Sequence, residues 1–191
     1  MSVEVPGEVR TERLVIRPVE AADAAAFLTW RSRPEVVKYM YQAPWTPELA
    51  EQKLATWSET RSFEKDGDAI QFAVARAESP GRLIGELMLK RAAGEGQAEV
   101  GWTFHPDVHG RGLATEAAAA LLRLAFGHFG FHRVMARVDA ENEASARLCA
   151  RLGLRLEARL VENDKRLGED AWASELDFAI LDREFAAQSA V

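Results

Sequence analysis

Ala98-Glu99-Val100-Gly101-Trp102-Thr103-Phe104, then His105-Pro106-Asp107-Val108-His109-Gly110-Arg111-Gly112-Leu113-Ala114, then the alanine-rich run Thr115 to Phe126, reads as a strand, a glycine-bearing turn and a helix. Gly110 and Gly112 keep Cβ bulk out of the turn, so its backbone N–H groups can crowd around an anion. The helix behind it adds the unpaired N–H groups of its first turn and the positive end of its dipole. A turn of this kind cradles a phosphate. The plainer reading is a tight corner before a helix, which glycine also permits. A nucleotide P-loop does not fit: it requires a lysine after its last glycine, and Gly112-Leu113-Ala114 supplies none.

Outward from that stretch, short apolar runs alternate with helical ones. Leu14-Val15-Ile16-Arg17 is a first strand stopped by Pro18. Helices are expected over Ala21 to Arg31, from Pro34 through Tyr39, and from Pro47, where Thr46 caps and proline takes the first helical position. Leu49, Leu54 and Trp57 mark the buried side of the last of these. Ile70, Phe72 and Val74 alternate with Gln71, Ala73 and Ala75, the pattern of a half-buried strand. Leu83 to Leu89 forms a second strand, with Glu95-Gly96 turning back into Gln97 to Phe104. Beyond the glycine turn come a strand over His132 to Val138 and a helix over Asn142 to Leu152, closed by Gly153. Leu154 to Leu160 and Trp172 to Leu181 complete the sheet as a long hairpin. No repeat or linker interrupts this, so one domain over residues 1–191 is expected.

Composition bounds the function. The chain has 191 residues, 48% hydrophobic and 28% charged, which is ordinary for a globular protein with a sizeable core. A formal net charge of −6 disfavours non-specific binding to nucleic acid or to anionic membrane. The lone Cys149 allows no intrachain disulfide, and Met1 to Arg10 lacks an apolar signal core, so a cytoplasmic protein is expected. No apolar run reaches membrane-spanning length. His105 and His109, like His128 and His132, stand four apart, but Pro106, Gly110 and Gly130 break helical geometry across both pairs, so no metal is expected.

The order strand, glycine turn, helix, strand, Asn-led helix, glycine, strand resembles the GNAT superfamily of N-acetyltransferases. Thr11-Glu12-Arg13-Leu14-Val15-Ile16-Arg17, Arg33-Pro34-Glu35-Val36 and Glu99-Val100-Gly101-Trp102 resemble in particular the ribosomal-protein N-terminal acetyltransferases, over about Glu12 to Phe185. The resemblance implies an α/β (α+β) fold: a central mixed, mostly antiparallel sheet of about seven strands, with a splayed strand pair and helices on both faces. It implies acetyl-CoA as cosubstrate, an amine acceptor (a protein N-terminus or a small molecule), direct attack without a covalent acetyl-enzyme, and a possible homodimer. The family's turn reads Gln/Arg-x-x-Gly-x-Gly/Ala. Here Gly112 and Ala114 match and His109 departs from the opening position.

By that resemblance, amides from His109 through Gly110, Arg111, Gly112, Leu113 and Ala114 to Thr115 hold the cofactor's pyrophosphate. Trp102, Thr103 and Phe104 pair with its pantetheine arm, and Asn142 touches that arm while capping its helix. Strand alternation puts Glu99 on the face of Gly101 and Thr103, as a candidate base or equally as an ion-pair partner. Ser145, one turn ahead of Cys149, is a candidate donor to the leaving sulfur or a local helix bond. Cys149 stands where many members carry tyrosine and reads most simply as a buried apolar residue. Tyr39, Tyr41 and Trp45 fall where acceptor walls are placed, or else pack the core. Glu116 reads chiefly as a helix-start residue suited to the dipole. A non-catalytic CoA-binding protein is the rival from another class.

Overall fold

A computed structural model describes residues 3–167 and 171–188. Its eight strands are β1 (Val9–Arg10), β2 (Leu14–Pro18), β3 (Ala69–Arg76), β4 (Ser79–Arg91), β5 (Gln97–Phe104), β6 (Arg133–Asp139), β7 (Arg155–Lys165) and β8 (Trp172–Leu181). They form one sheet in the order β1-β2-β3-β4-β5-β6-β8-β7. Every neighbouring pair is antiparallel except β5 and β6, which run parallel. The strand beyond the expected seven is β1. Its two residues pair with Ile16 and Val15, too short a stretch to show any alternation in sequence.

The helices are α1 (Ala24–Arg31), α2 (Pro34–Val37), α3 (Pro47–Glu59), α4 (Leu113–Arg123), α5 (Glu143–Arg151) and α6 (Asp182–Gln188). The expected helix from Ala21 opens as a 3₁₀ turn, Ala21–Asp23, before α1 begins. Thr46 caps α3 by accepting the Leu49 N–H at 3.3 Å. A π-type turn, Leu124–His128, follows α4.

Two cores lie on opposite faces of the sheet. Phe72 and Val74 of β3 pack with α4 and α5 in the larger one, among Leu87, Leu121, Leu122 and Leu148. Ala73, between them in sequence, packs in the second with Phe27, Trp30, Trp45 and Leu54. β3 is therefore buried on both faces and not half-buried, because α1 and α3 cover the side that alternation assigned to solvent. Phe27, Trp30, Trp45 and Trp57 form the aromatic centre of this second layer, with Phe27 and Trp30 centroids 4.9 Å apart.

The feature that shapes the molecule is a wedge. β5 and β6 pair only from Gln97↔Arg133 to Glu99↔Met135. β5 then continues five residues to Phe104 and β6 four to Asp139 without pairing to each other. Val100 to Phe104 stay bonded to β4 on one edge and present the other edge to the gap. Gly85 of β4 lets Phe104 lie flat at the end of this stretch, since a Cβ there would stand 2.5 Å from the Phe104 ring.

Candidate active site

A cleft of about 1040 Å³ runs through the wedge from the glycine turn to α1 and α2. Every residue expected at the site borders it except Arg111. Arg111 lines instead a neighbouring cavity of about 600 Å³, and its carbonyl is held by Arg13 Nη1 at 3.0 Å.

The turn leaves a run of amides unpaired. Gly110 and Gly112 adopt φ of 73° and 74°, the left-handed region that glycine enters without a Cβ penalty. Gly112 is the N-cap of α4 and brings no side-chain acceptor to the helix end. From Gly110 to Thr115, none of the consecutive N–H groups has a hydrogen-bond partner among the described residues. The first member of the expected range differs from the rest. The His109 N–H already donates to Pro106 O at 3.1 Å, and its ring Nε2 to Phe104 O at 3.2 Å. His109 thus closes the turn onto β5, and the six amides from Gly110 to Thr115 stay unpaired among the described residues. Arg151 of α5 adds a cation at the rim, with Nε 3.3 Å from Thr115 Oγ1.

Along the open edge of β5, Trp102 Nε1 donates to Ser145 Oγ at 3.2 Å. An indole N–H only donates, so Ser145 accepts there and keeps its own O–H for a group in the cleft. Asn142 Oδ1 accepts the Ser145 N–H at 3.1 Å, fixing the first turn of α5. Cys149 sits one turn deeper with no exposed surface, and burial pushes its thiol up to about 12. That thiol is a packing group. Iodoacetamide at mildly alkaline pH should leave Cys149 unlabelled in the folded protein and label it fully after unfolding, as read by mass spectrometry.

On the face towards α1 and α2, the β4–β5 ladder stacks Lys90 opposite Glu99, Met88 opposite Gly101 and Glu86 opposite Thr103. Lys90 Nζ stands 3.4 Å from Glu99. Glu86 is buried, accepts from Arg31 Nε and from Trp30 Nε1 (3.2 Å), and has no partner for Oε2 among the described residues. Asp139, at the end of β6, accepts from Tyr41 OH at 2.9 Å and pairs with Arg166 at 3.3 Å. Burial first, and Asp139 second, raise the Tyr41 phenol above its ordinary range. Met40 Sδ lies 3.8 Å from Thr103 Oγ1, so adjacent residues 40 and 41 tie β5 to β6, each four positions past their last pair. Trp45 is 4% exposed and belongs chiefly to the second core, with only its edge on the cleft.

Arg31, Glu86 and Asp139 were not anticipated at the site. A signal for Glu86 did exist: it is the one charge inside the apolar run Leu83 to Leu89. Among the described residues no group of three or more His, Cys, Asp and Glu could hold a metal ion, and no helix is long and apolar enough to cross a membrane.

Residues 13–155 match the family model described as an acetyltransferase (GNAT) domain. The chain is 30% identical over 177 residues to the uncharacterized N-acetyltransferase YnaD of Bacillus subtilis (strain 168), covering 93% of this chain and 98% of that protein. A crystal structure of a GNAT-family acetyltransferase from Bacillus anthracis superposes with a TM-score of 0.83 at 28% identity, covering 93% of this chain and 99% of that one. The spermidine N-acetyltransferase of Vibrio cholerae, solved with CoA and spermine, shares the fold at 20% identity and a TM-score of 0.77, over 92% of this chain and 99% of that one.

Proposed function

The chain belongs to the GNAT family of acetyltransferases and is an acetyl-CoA-dependent acyltransferase, and from that premise we propose that it acetylates the free α-amine of a protein N-terminus by direct attack in a ternary complex. The observation that carries the cofactor half is the set of six unpartnered amides from Gly110 to Thr115, a donor set that fits a diphosphate. Bound acetyl-CoA supplies an activated acyl group on a sulfur leaving group.

This chain's residues do the remainder. The free edge of Val100 to Phe104 takes the pantetheine arm as a missing strand. An N–H of that edge would bond the thioester carbonyl, and that bond would strengthen as negative charge develops. The Ser145 hydroxyl, aligned by Trp102, would hydrogen-bond the departing sulfur, which leaves as a thiolate and takes its proton from water. Glu99 takes the acceptor's proton directly or through water, and Lys90 steadies the carboxylate.

What these carboxylates already hold supports the choice of acceptor. Glu86 is bound by Arg31, Asp139 by Arg166 and Glu99 by Lys90. Glu99 takes the proton while already ion-paired, so an amine close to neutral at pH 7 suits this site. An α-amine with pKa near 8 costs about 1.4 kcal/mol to deprotonate at pH 7, whereas a lysine near 10.4 costs about 4.6 kcal/mol. The α-amine is favoured. A small-molecule amine is the second reading, supported by the Met40–Tyr41 bridge that narrows the acceptor side.

The test is thiol release from acetyl-CoA with peptides bearing free N-termini, N-blocked peptides bearing one lysine, and small amines. Release dependent on the free N-terminus is expected. Release with small amines alone selects the second reading, and cofactor binding without any release makes the protein a CoA-binding regulator. Glu99→Gln should retain acetyl-CoA affinity by calorimetry and lower kcat by about tenfold or more at neutral pH. An unchanged kcat removes Glu99 from the proton path.

A further inference from the structure

Arg13 meets the glycine turn at Arg111 across 98 residues, and Thr11 meets the helix behind it at Glu116 across 105. We propose that Arg13, seated on Glu116 and Thr11, is a positioning residue for the diphosphate turn, acting through the peptide between Arg111 and Gly112. The proposal rests on the acetyl-CoA reading above.

The seat comes first. Glu116 stands in the first turn of α4, where a carboxylate ordinarily serves the helix dipole. Here both of its oxygens are occupied by the N-terminal segment. Oε1 accepts from Thr11 Oγ1 at 2.5 Å and from the Arg13 N–H at 2.9 Å, and Oε2 accepts from Arg13 Nε at 2.6 Å. Thr11 Oγ1 in turn accepts the Leu14 N–H at 3.0 Å, and Leu14 is fully buried in the larger core. The guanidinium is therefore anchored to the sheet through β2 and to the helix through Glu116. These three bonds hold the Glu116 carboxyl below the usual carboxylate range against an opposing effect of burial.

From that seat, Arg13 Nη1 donates to Arg111 O at 3.0 Å. In a planar trans peptide the carbonyl of Arg111 and the N–H of Gly112 point in opposite directions. Holding the carbonyl against Arg13, which does not border the cleft, directs the Gly112 N–H to the other side, where Gly112 does border it. The Gly112 position faces Arg13 closely: a Cβ there would lie 3.6 Å from Nη2. Two left-handed glycines bracket this peptide, so the free turn would sample many orientations. Arg13 fixes one before the anion arrives, which lowers the ordering cost of binding. Glu116 balances the guanidinium charge, so the bond to Arg111 does not place an isolated cation behind the turn.

The test compares a ligand that carries the diphosphate and the nucleotide beyond it with one that ends before both. Calorimetry with CoA and with pantetheine, which lacks the diphosphate, is run on the unaltered protein, on Arg13→Met and on Glu116→Gln. Thiol release from acetyl-CoA and from S-acetyl-pantetheine is followed in parallel. Arg13→Met should raise the Kd for CoA about tenfold or more and leave that for pantetheine within about twofold. Glu116→Gln should weaken CoA in the same selective way, and the double variant should lose less than the sum, since both act through one contact. Equal losses for both ligands mean general damage and overturn the proposal, as does an unchanged CoA affinity or strict additivity. If the unaltered protein binds neither ligand, the acetyl-CoA reading itself fails, a result visible before any variant is compared.

Discussion

Arg31→Met is expected to lower the unfolding free energy by about 3–5 kcal/mol, the usual consequence of leaving one partner of a buried ion pair alone. Arg31 and Glu86 are 7% and 3% exposed in their side chains, so water cannot take over the role of the guanidinium. Without it, the Glu86 carboxylate keeps only the Trp30 indole N–H, and Oε2 already lacks a partner among the described residues. Two lesser contacts go as well. The guanidinium carbon sits 4.8 Å from the centre of the Trp45 ring, and Nη1 lies 3.0 Å from Met40 Sδ. Urea denaturation of the single variant and of Arg31→Met with Glu86→Leu decides between causes. If an unpaired buried charge is what destabilises, the double variant recovers most of the loss, because the charge itself has gone. If packing of the long Arg31 stem were the cause, the double variant would remain as unstable as the single.

That ion pair also marks where the sequence stopped being readable. The strand, glycine turn and helix from Ala98 to Phe126 were legible because each signal is local: alternation, glycines at left-handed positions, then alanines of high helix propensity. The boundaries at Thr46-Pro47, Asn142 and Gly153 were legible for the same reason, each being a cap within a few residues of its partner. The unread parts are long-range. Arg31 meets Glu86 across 55 residues, Tyr41 meets Asp139 across 98 and Arg13 meets Glu116 across 103, and no periodicity encodes such pairings. β3 was read as half-buried because alternation reports one covered face and cannot reveal that α1 and α3 cover the other. Glu116 was assigned to the helix dipole because a first-turn glutamate is sufficient for that role, while its contacts come from the opposite end of the chain. His109 was expected among the anion donors, and its amide and ring are both committed within five residues of it, to Pro106 and Phe104. The glycine turn and the open edge of β5 were therefore largely visible, and the pairs at the α1–α2 end of the cleft, brought together by folding, were not.

Gly112→Val should reduce CoA affinity about a hundredfold, some 2.7 kcal/mol, while Gly110→Ala should cost about fivefold. Both positions hold φ near +73°, so any side chain with a Cβ carries a backbone penalty of roughly 1–2 kcal/mol there, larger for a branched one. The surroundings separate them. A Cβ at Gly110 meets nothing within 4 Å, so Ala adds only the strain. A Cβ at Gly112 already stands 3.6 Å from Arg13 Nη2, and the two methyls of valine must push that guanidinium away from the Arg111 carbonyl. The peptide that aims the Gly112 N–H then loses its restraint. A misdirected amide forfeits a hydrogen bond to a charged phosphate, worth about 1.5–3 kcal/mol. Strain and one lost bond together reach the hundredfold figure without appeal to any change in the core. Calorimetry with CoA on both variants, alongside their melting temperatures, tests the ranking. Equal losses at the two glycines would show that left-handed strain alone governs the turn and that the space beside Arg13 is irrelevant. A hundredfold loss confined to Gly112→Val, at an unchanged melting temperature, ties cofactor affinity to the one peptide that Arg13 holds in place.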